Sequence, residues 1–446
     1  MHTLTVKLKQ HTPLIHFQHD QDGATLRASE VKPKLDKFIL TKLGEGDYEK
    51  GKAEAKVKGW LVGKGDHPAL DYKMRIETGG EPKEFLVASL LTPNRIFDNH
   101  NREIRENSLP FKILKSTPFF AQESINTGTK PEESPVFLKK KNEQGKYDFY
   151  YNEDNWDKIG KKGLMWENVY VSFSAINQSL LEFIDSYLTD FFICTNFGTR
   201  SNKGFGSYTR ICDESTVLSV LKNNYKFVYK KNKSSCSLDE MFRTIKEDYQ
   251  KIKSGINHGN YTKSILFCYA VKKMSKNPRW EKRFFKIAVK DKLNYNQRLL
   301  DKHHAPICDC NGNSSWIDSQ SFDYKYIRAL LGLAEQYEFI LEYQFNGVWK
   351  RDNKNKLSVK PHIKDVERCE SPILIKIIDN HIYIVGNDIN NDLLKKKVTI
   401  DFSVGKKDIR VSENKKIIWT PDDFDLSDFM NFAMGTEFSL GYIKEK

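Results

Sequence analysis

At 446 residues the chain exceeds one ordinary hydrophobic core, so two domains are expected. Lys and Arg outnumber Asp and Glu by 72 to 59, a formal charge of +13 with a pI near 9.1, which favours a polyanionic partner. A mean hydropathy of -0.61 and the lack of any run approaching the roughly 18 apolar residues of a span exclude membrane insertion, and seven scattered cysteines behind a start without an apolar signal core point to reducing cytoplasm.

Residues 3–8 alternate, with Leu4, Val6 and Leu8 on one face, and predict a first strand that runs on through Thr12-Pro13-Leu14-Ile15 into a polar turn. Residues 26–38 read L-R-A-S-E-V-K-P-K-L-D-K-F. Val31, Leu35, Phe38 and Ile39 fall at helical spacing, with Ser29 expected as N-cap and Pro33 in the first turn. A basic helix that starts beside the end of a strand offers its N-terminus to an anion. Strands are expected at 72–76, 85–91 and within 111–120. The polar stretch 124–156 is expected to leave the core as an excursion or hairpin. A strand at 169–175 and a helix at 179–194 follow.

After Asp213 the character of the chain changes. A helix is expected at 238–252, an apolar strand at 265–271, a short helix at 326–333, two strands around a turn at Asp379-Asn380, another strand at 398–402 and a closing helix at 426–434. Residues 279–290 interleave Trp280, Phe284 and Phe285 with Arg279, Lys282, Arg283 and Lys286. That pattern either stacks bases and pairs phosphates or forms an amphipathic element whose aromatics are core.

The stretch 197–210, F-G-T-R-S-N-K-G-F-G-S-Y-T-R, joins the helix at 179–194 to a strand at 207–211 and holds three glycines and three cations. Glycines bring backbone N–H groups close to a ligand and the cations screen phosphates. Arg200, Lys203, Gly204, Phe205 and Gly206 are therefore candidate phosphate-backbone contacts, with Phe205 either stacking on a base or plugging the sheet. Arg27, Ser29, Lys32 and Lys34 add contacts at the helix start. Gly204 and Gly206 serve the turn whatever binds, whereas Arg200 and Lys203 carry the phosphate-binding expectation.

Placed between that helix and strand, the glycine-rich stretch resembles the signature loop of the RAMP superfamily of CRISPR-associated RNA-binding proteins. The T-P-L-I after the first strand, the segment 26–38, I-R-A-L-L-G-L at 327–333 and R-C-E-S-P-I-L-I-K at 368–376 agree with it, the last two being similar to segments of subunit one of Cmr-type effectors. The family usually carries two adjacent basic residues before the glycine; here Ser201 and Asn202 separate Arg200 from Lys203. The resemblance implies an α+β fold of two ferredoxin-like (RRM-like, RAMP) domains, residues 1–214 with an inserted loop or hairpin at about 121–160, and residues 215–446. It implies a non-catalytic RNA-binding subunit of a type III-B Cmr interference complex, with guide RNA, target RNA and other RAMP subunits as partners.

The same superfamily includes metal-independent nucleases that process guide RNA with a histidine near the first strand. His16 and His19 are the residues for that alternative, since imidazole titrates near neutrality. His303, His304, Cys308 and Cys310 put four zinc-type ligands within eight residues. Their spacing is not a standard knuckle and adjacent histidines do not readily share one ion, so no metal is favoured. No Walker motif, dinucleotide fingerprint or hydrolase elbow is present, and no cofactor is expected.

Overall fold

Alternation in the first strand decides which way the N-terminal sheet faces. In β1 (His2–Gln10), Val6 and Leu8 are buried while Thr5, Lys7 and Lys9 are exposed. In the computed structural model, which describes residues 1–15, 25–63, 68–87, 95–114, 127–128, 130–133, 135–158, 162–258, 260–274, 279–289, 306–308, 314–316, 324–332, 336–345, 348–364, 366, 371–405 and 407–446, the fold is mixed α+β. The chain divides into two compact units: Met1–Lys246 with Leu374–Val385 and Glu445–Lys446, and Glu247–Ile373 with Gly386–Lys444.

In the first unit, β1 is followed by α1 (Ala28–Leu43), α2 (Tyr48–Val57), β2 (Lys73–Gly79), β3 (Asn168–Ala175), α3 (Gln178–Cys194) and β4 (Tyr208–Arg210). The four strands form an antiparallel sheet in the order β4-β1-β3-β2. Val31, Leu35 and Ile39, one helical turn apart, and Leu180, Ile184 and Leu188 of α3 bury against Val6, Leu8, Val171 and Phe173. Each such side chain contributes about 1.5–3 kcal/mol. Asn177 caps α3, its side chain accepting from Leu180 N at 3.3 Å.

Two details of α1 differ from expectation. Arg27, not Ser29, is the N-cap residue, with extended backbone and no side-chain cap bond. Pro33 stands sixth in the helix, beyond the first turn, and leaves the Ser29 carbonyl without its usual helical donor. Ser29 is exposed, so water can take that place.

Within 124–156, strands Phe137–Lys141 and Tyr147–Tyr151 form an antiparallel hairpin. Phe137, Phe149 and Tyr151 pack with Phe111 and Ile113 into an apolar cluster of their own.

The first unit continues with α4 (Glu214–Asn224), β5 (Phe227–Asn232) and the start of α5 (Leu238–Lys253). Two strands late in the chain complete it: β6 (Ile373–Ile378) and β7 (His381–Gly386), in the sheet order β6-β7-β5. Val217, Leu221, Val228, Ile378 and Val385 share one core with Ile193 of α3. Glu445 and Lys446 bond to Val228 at β5.

The second unit is built on a sheet whose longest pair is Tyr337–Phe345 with Val348–Ile363, extended by Lys397–Val404 and Ile417–Trp419. Residues expected as an apolar strand at 265–271 form a helix, Ile265–Lys273, because Ser264 caps it (Oγ accepts from Phe267 N at 3.2 Å) and Tyr269 packs on Phe429 and Phe432 of the helix Leu426–Ala433. Phe285, on the helix Glu281–Ala288, is fully buried against Tyr326 and Phe402. Of the two readings of that segment, core packing holds for Phe285. The short helix expected at 326–333 is a 3-10 turn, Ile327–Leu331, where Arg328 Nε donates to the buried Glu281 carboxylate.

Candidate nucleic-acid interface

The glycine-rich stretch leaves α3 at Thr195 and returns as β4, and its neck is closed by an Asn196–Ser207 bridge and by Phe197 N donating to Gly206 O at 2.9 Å. Gly206 has φ +63°, and a Cβ there would stand 1.9 Å from the Phe197 carbonyl oxygen. Gly204 also has positive φ, +92°, but an added Cβ would meet only Ile377 and Ile245 methyl and methylene carbons at 3.4–3.5 Å. Both glycines are demanded by the backbone.

Their amides are already engaged. Gly198 N donates to Glu30 Oε1 (2.7 Å), Gly204 N to Ser201 O (3.2 Å) and Gly206 N to Pro13 O (2.9 Å). Thr199 N donates to Ile15 O and Ser207 N to Thr12 Oγ1, both at 2.8 Å. The expectation that Gly204 and Gly206 offer N–H groups to phosphate is corrected: Gly204 N is used within the loop, and Gly206 N ties it to the segment that follows β1. Phe205 is fully buried and stacked on Phe242, with centroids 4.2 Å apart and 20° between planes, so it plugs the core and presents no face to a base. Arg200, in left-handed conformation at φ +60°, and Lys203 are half-buried, and Lys203 Nζ and Arg200 Nη1 are withdrawn from solvent.

The start of α1 meets the neck of this loop. Lys34 Nζ donates to Glu30 Oε1 (3.0 Å) and to Asn196 O (3.3 Å), lies 5.1 Å from the Phe197 ring centroid, and keeps 40% of its side chain exposed. Lys32 turns elsewhere: it donates to Asp36 and to Leu70 O (2.8 Å) and sits 3.6 Å from the Tyr72 centroid. Burial draws the Lys32 ammonium below its usual pKa, with Asp36 opposing. Of the residues picked at the helix start, Lys34 joins the loop, whereas Lys32 is consumed in packing. Arg27 is half-buried and Ser29 exposed.

Sequence reasoning missed the residues that hold the loop from the other side. Ile375 N donates to Asn202 O (3.2 Å), Asn196 Nδ2 to Ser201 O (2.7 Å) and Ile375 O (2.9 Å), and Ser207 Oγ to Ile377 O (2.6 Å). Between them Lys376, fully buried, donates to the carbonyls of Phe192 (2.6 Å), Thr195 (2.8 Å) and Tyr208 (3.2 Å). Burial pushes the Lys376 ammonium down to about 7; in its protonated form it has three donors for three acceptors. Its signal was a lone cation inside the apolar run I-L-I-K-I-I. His11 is also buried, accepting from Asp379 N at Nδ1 (3.1 Å) and bonding Thr209 Oγ1 through Nε2 (2.8 Å). Burial lowers its pKa, so the ring is neutral and structural.

His16 and His19 lie outside the described residues, as do His303, His304 and Cys310. Cys308 ends the short strand Pro306–Cys308. Among the described residues no group of three or more His, Cys, Asp or Glu side chains is placed to hold a metal ion, and no helix is long and apolar enough to cross a membrane.

Helix α3 thus runs through a glycine-rich basic loop into the edge strand β4 beside β1, in a mixed α+β chain. The chain is a member of the Cmr1 family: the Cmr1 N-terminal domain matches residues 1–256 and the Cmr1 C-terminal domain residues 261–439. Among solved structures it is similar to Cmr1 from Pyrococcus furiosus in the apo form, at 10% identity over 100% of this chain and 99% of that one, with a TM-score of 0.32. No curated protein matches the chain. Family membership supports a place for it among the subunits of a Cmr complex.

Proposed function

We propose that the chain is a non-catalytic, RNA-binding subunit of a type III-B CRISPR (Cmr) interference complex in the cytoplasm, helping to hold guide RNA and capture target RNA in antiviral defence. It is built on two ferredoxin-like domains, residues 1–214 and 215–446. The order β4-β1-β3-β2, with α1 after β1 and α3 after β3, supports the first. The second rests on family membership, with β5, β6 and β7 of that range completing the first compact unit.

The observation that carries the RNA reading is the junction of the α1 start with the neck of the glycine-rich loop through Glu30 and Lys34. It sets an exposed ammonium and the first turn of a helix beside the loop neck, on a chain of net charge +13. Arg200, half-buried, acts there with Arg27, Ser29 and Lys34, while Lys203, its ammonium withdrawn from solvent, and Gly204, Phe205 and Gly206 fix the loop.

The test is titration of the full chain into labelled single-stranded RNA across salt concentrations. Arg27→Ala with Lys34→Ala is expected to weaken binding and to reduce the slope of log K against log salt by about 0.7 per lost phosphate contact. Arg200→Ala is expected to do the same, with circular dichroism confirming the fold. Unchanged affinity and slope in both variants would refute the site.

A further inference from the structure

The face of the four-stranded sheet away from α1 and α3 carries a second pattern. In cross-strand register, Thr5, Ser172 and Arg75 form one row and Lys7, Tyr170 and Glu77 the next, contributed by β1, β3 and β2. All six are exposed or half-buried, and Tyr170 keeps 39% of its surface in solvent at the middle of the sheet. Lys7 Nζ lies 5.8 Å from the Tyr170 ring centroid, and Thr5 Oγ1 bonds Ser172 Oγ at 3.0 Å.

This face is the wrong chemistry for the dry centre of a protein interface, because neither row contains an aliphatic side chain. It suits an extended polyanion with bases. Glu77 is occupied by Arg75 at 2.8 Å, and among the described residues no carboxylate pairs with Lys7 or with Lys73, which lies two residues before Arg75 on β2, so the face carries surplus positive charge. A flat antiparallel sheet with an aromatic ring on a central strand, cations beside it and hydroxyls in the adjacent row can stack a base, pair phosphates and bond ribose 2′-hydroxyls.

We propose that this open sheet face is a second single-stranded RNA surface, separate from the glycine-rich loop, with Tyr170 as the stacking residue and Lys7 and Lys73 as phosphate contacts. The proposal rests on the RNA-binding reading and deepens it. Tyr170 and Lys7 sit on β3 and β1 with their side chains outside the core, so replacing them leaves the packing of α1 and α3 in place.

The experiment uses the full chain and a fluorescein-labelled oligouridylate of about 20 nucleotides, long enough for more than one contact region. Polarisation is followed between about 50 and 200 mM salt. Tyr170→Ala is expected to weaken binding about 5- to 100-fold, as loss of one stacked base does, whereas Tyr170→Phe keeps the wild-type affinity. Lys7→Ala with Lys73→Ala is expected to reduce the salt slope by about 1.4, since each lost contact to a single strand removes about 0.7. Wild-type behaviour of the Tyr170→Ala and lysine variants, alongside weakened binding by Arg27→Ala with Lys34→Ala, overturns the sheet-face proposal and leaves the function reading standing. Loss of copurification with other Cmr subunits at unchanged RNA affinity overturns it in favour of a protein-docking face. A wild-type chain that does not bind RNA at all overturns both.

Discussion

Replacing Gly206 by Ala is expected to be among the most damaging single-methyl additions in the first unit, and Gly204→Ala is its matched control. Both positions have positive φ, +63° and +92°, so both carry the cost of a left-handed L-residue, about 1–2 kcal/mol. Only at Gly206 does the new methyl collide with backbone, standing 1.9 Å from Phe197 O and 2.7 Å from its carbonyl carbon. Relief requires the neck to open, which breaks Phe197 N to Gly206 O and Gly206 N to Pro13 O, both 2.9 Å. Two lost bonds at about 0.5–1.5 kcal/mol each bring the Gly206→Ala cost to about 2–5 kcal/mol. At Gly204 the methyl meets only side-chain carbons at 3.4–3.5 Å, leaving the conformational cost of about 1–2 kcal/mol. Urea denaturation followed by fluorescence, with the two units allowed separate transitions, measures the difference. Equal losses for the two variants would refute the claim that the loop neck sets the requirement for glycine.

Lys376 gives a pH test. Its folded value, about 7, lies below the 10.5 of an ordinary lysine, so between those values the unfolded chain binds the extra proton and this group adds stability as pH rises through that window. Wild type is expected to gain about 2–3 kcal/mol from this group between pH of about 7.5 and 9.5, and Lys376→Met to lose that slope; parallel curves in a urea-midpoint series would sink the assignment. Phe205→Ala is expected to cost about 3–5 kcal/mol in chemical denaturation, as removal of a fully buried ring does, and a variant as stable as wild type contradicts the buried stack on Phe242. Lys32→Ala is expected to lower stability through lost bonds to Asp36 and Leu70 while RNA affinity stays at wild type, the reverse of Lys34→Ala; a drop in affinity for Lys32→Ala returns that residue to the interface.

Local pattern was enough for the elements whose buried face repeats with one period. Leu4, Val6 and Leu8 marked β1, Val169, Val171 and Phe173 marked β3, and Val31, Leu35 and Ile39 marked α1, because side-chain direction follows backbone period. Residues 265–271 misled because a short apolar run fits a buried strand and a buried helix equally; the Ser264 cap and the packing of Tyr269 decide for helix. The glycine-rich stretch was visible as a loop between α3 and β4, and the sequence by itself determined that Gly204 and Gly206 were needed for its turn. What the loop does with its amides and cations was decided only in three dimensions. Pro13, Ile15 and Glu30 take its N–H groups, and β6, far along the chain, supplies Ile375 and Lys376 to its other side. Such partners are set by long-range strand placement and by the need of every buried donor and acceptor for a mate, which composition and spacing do not encode.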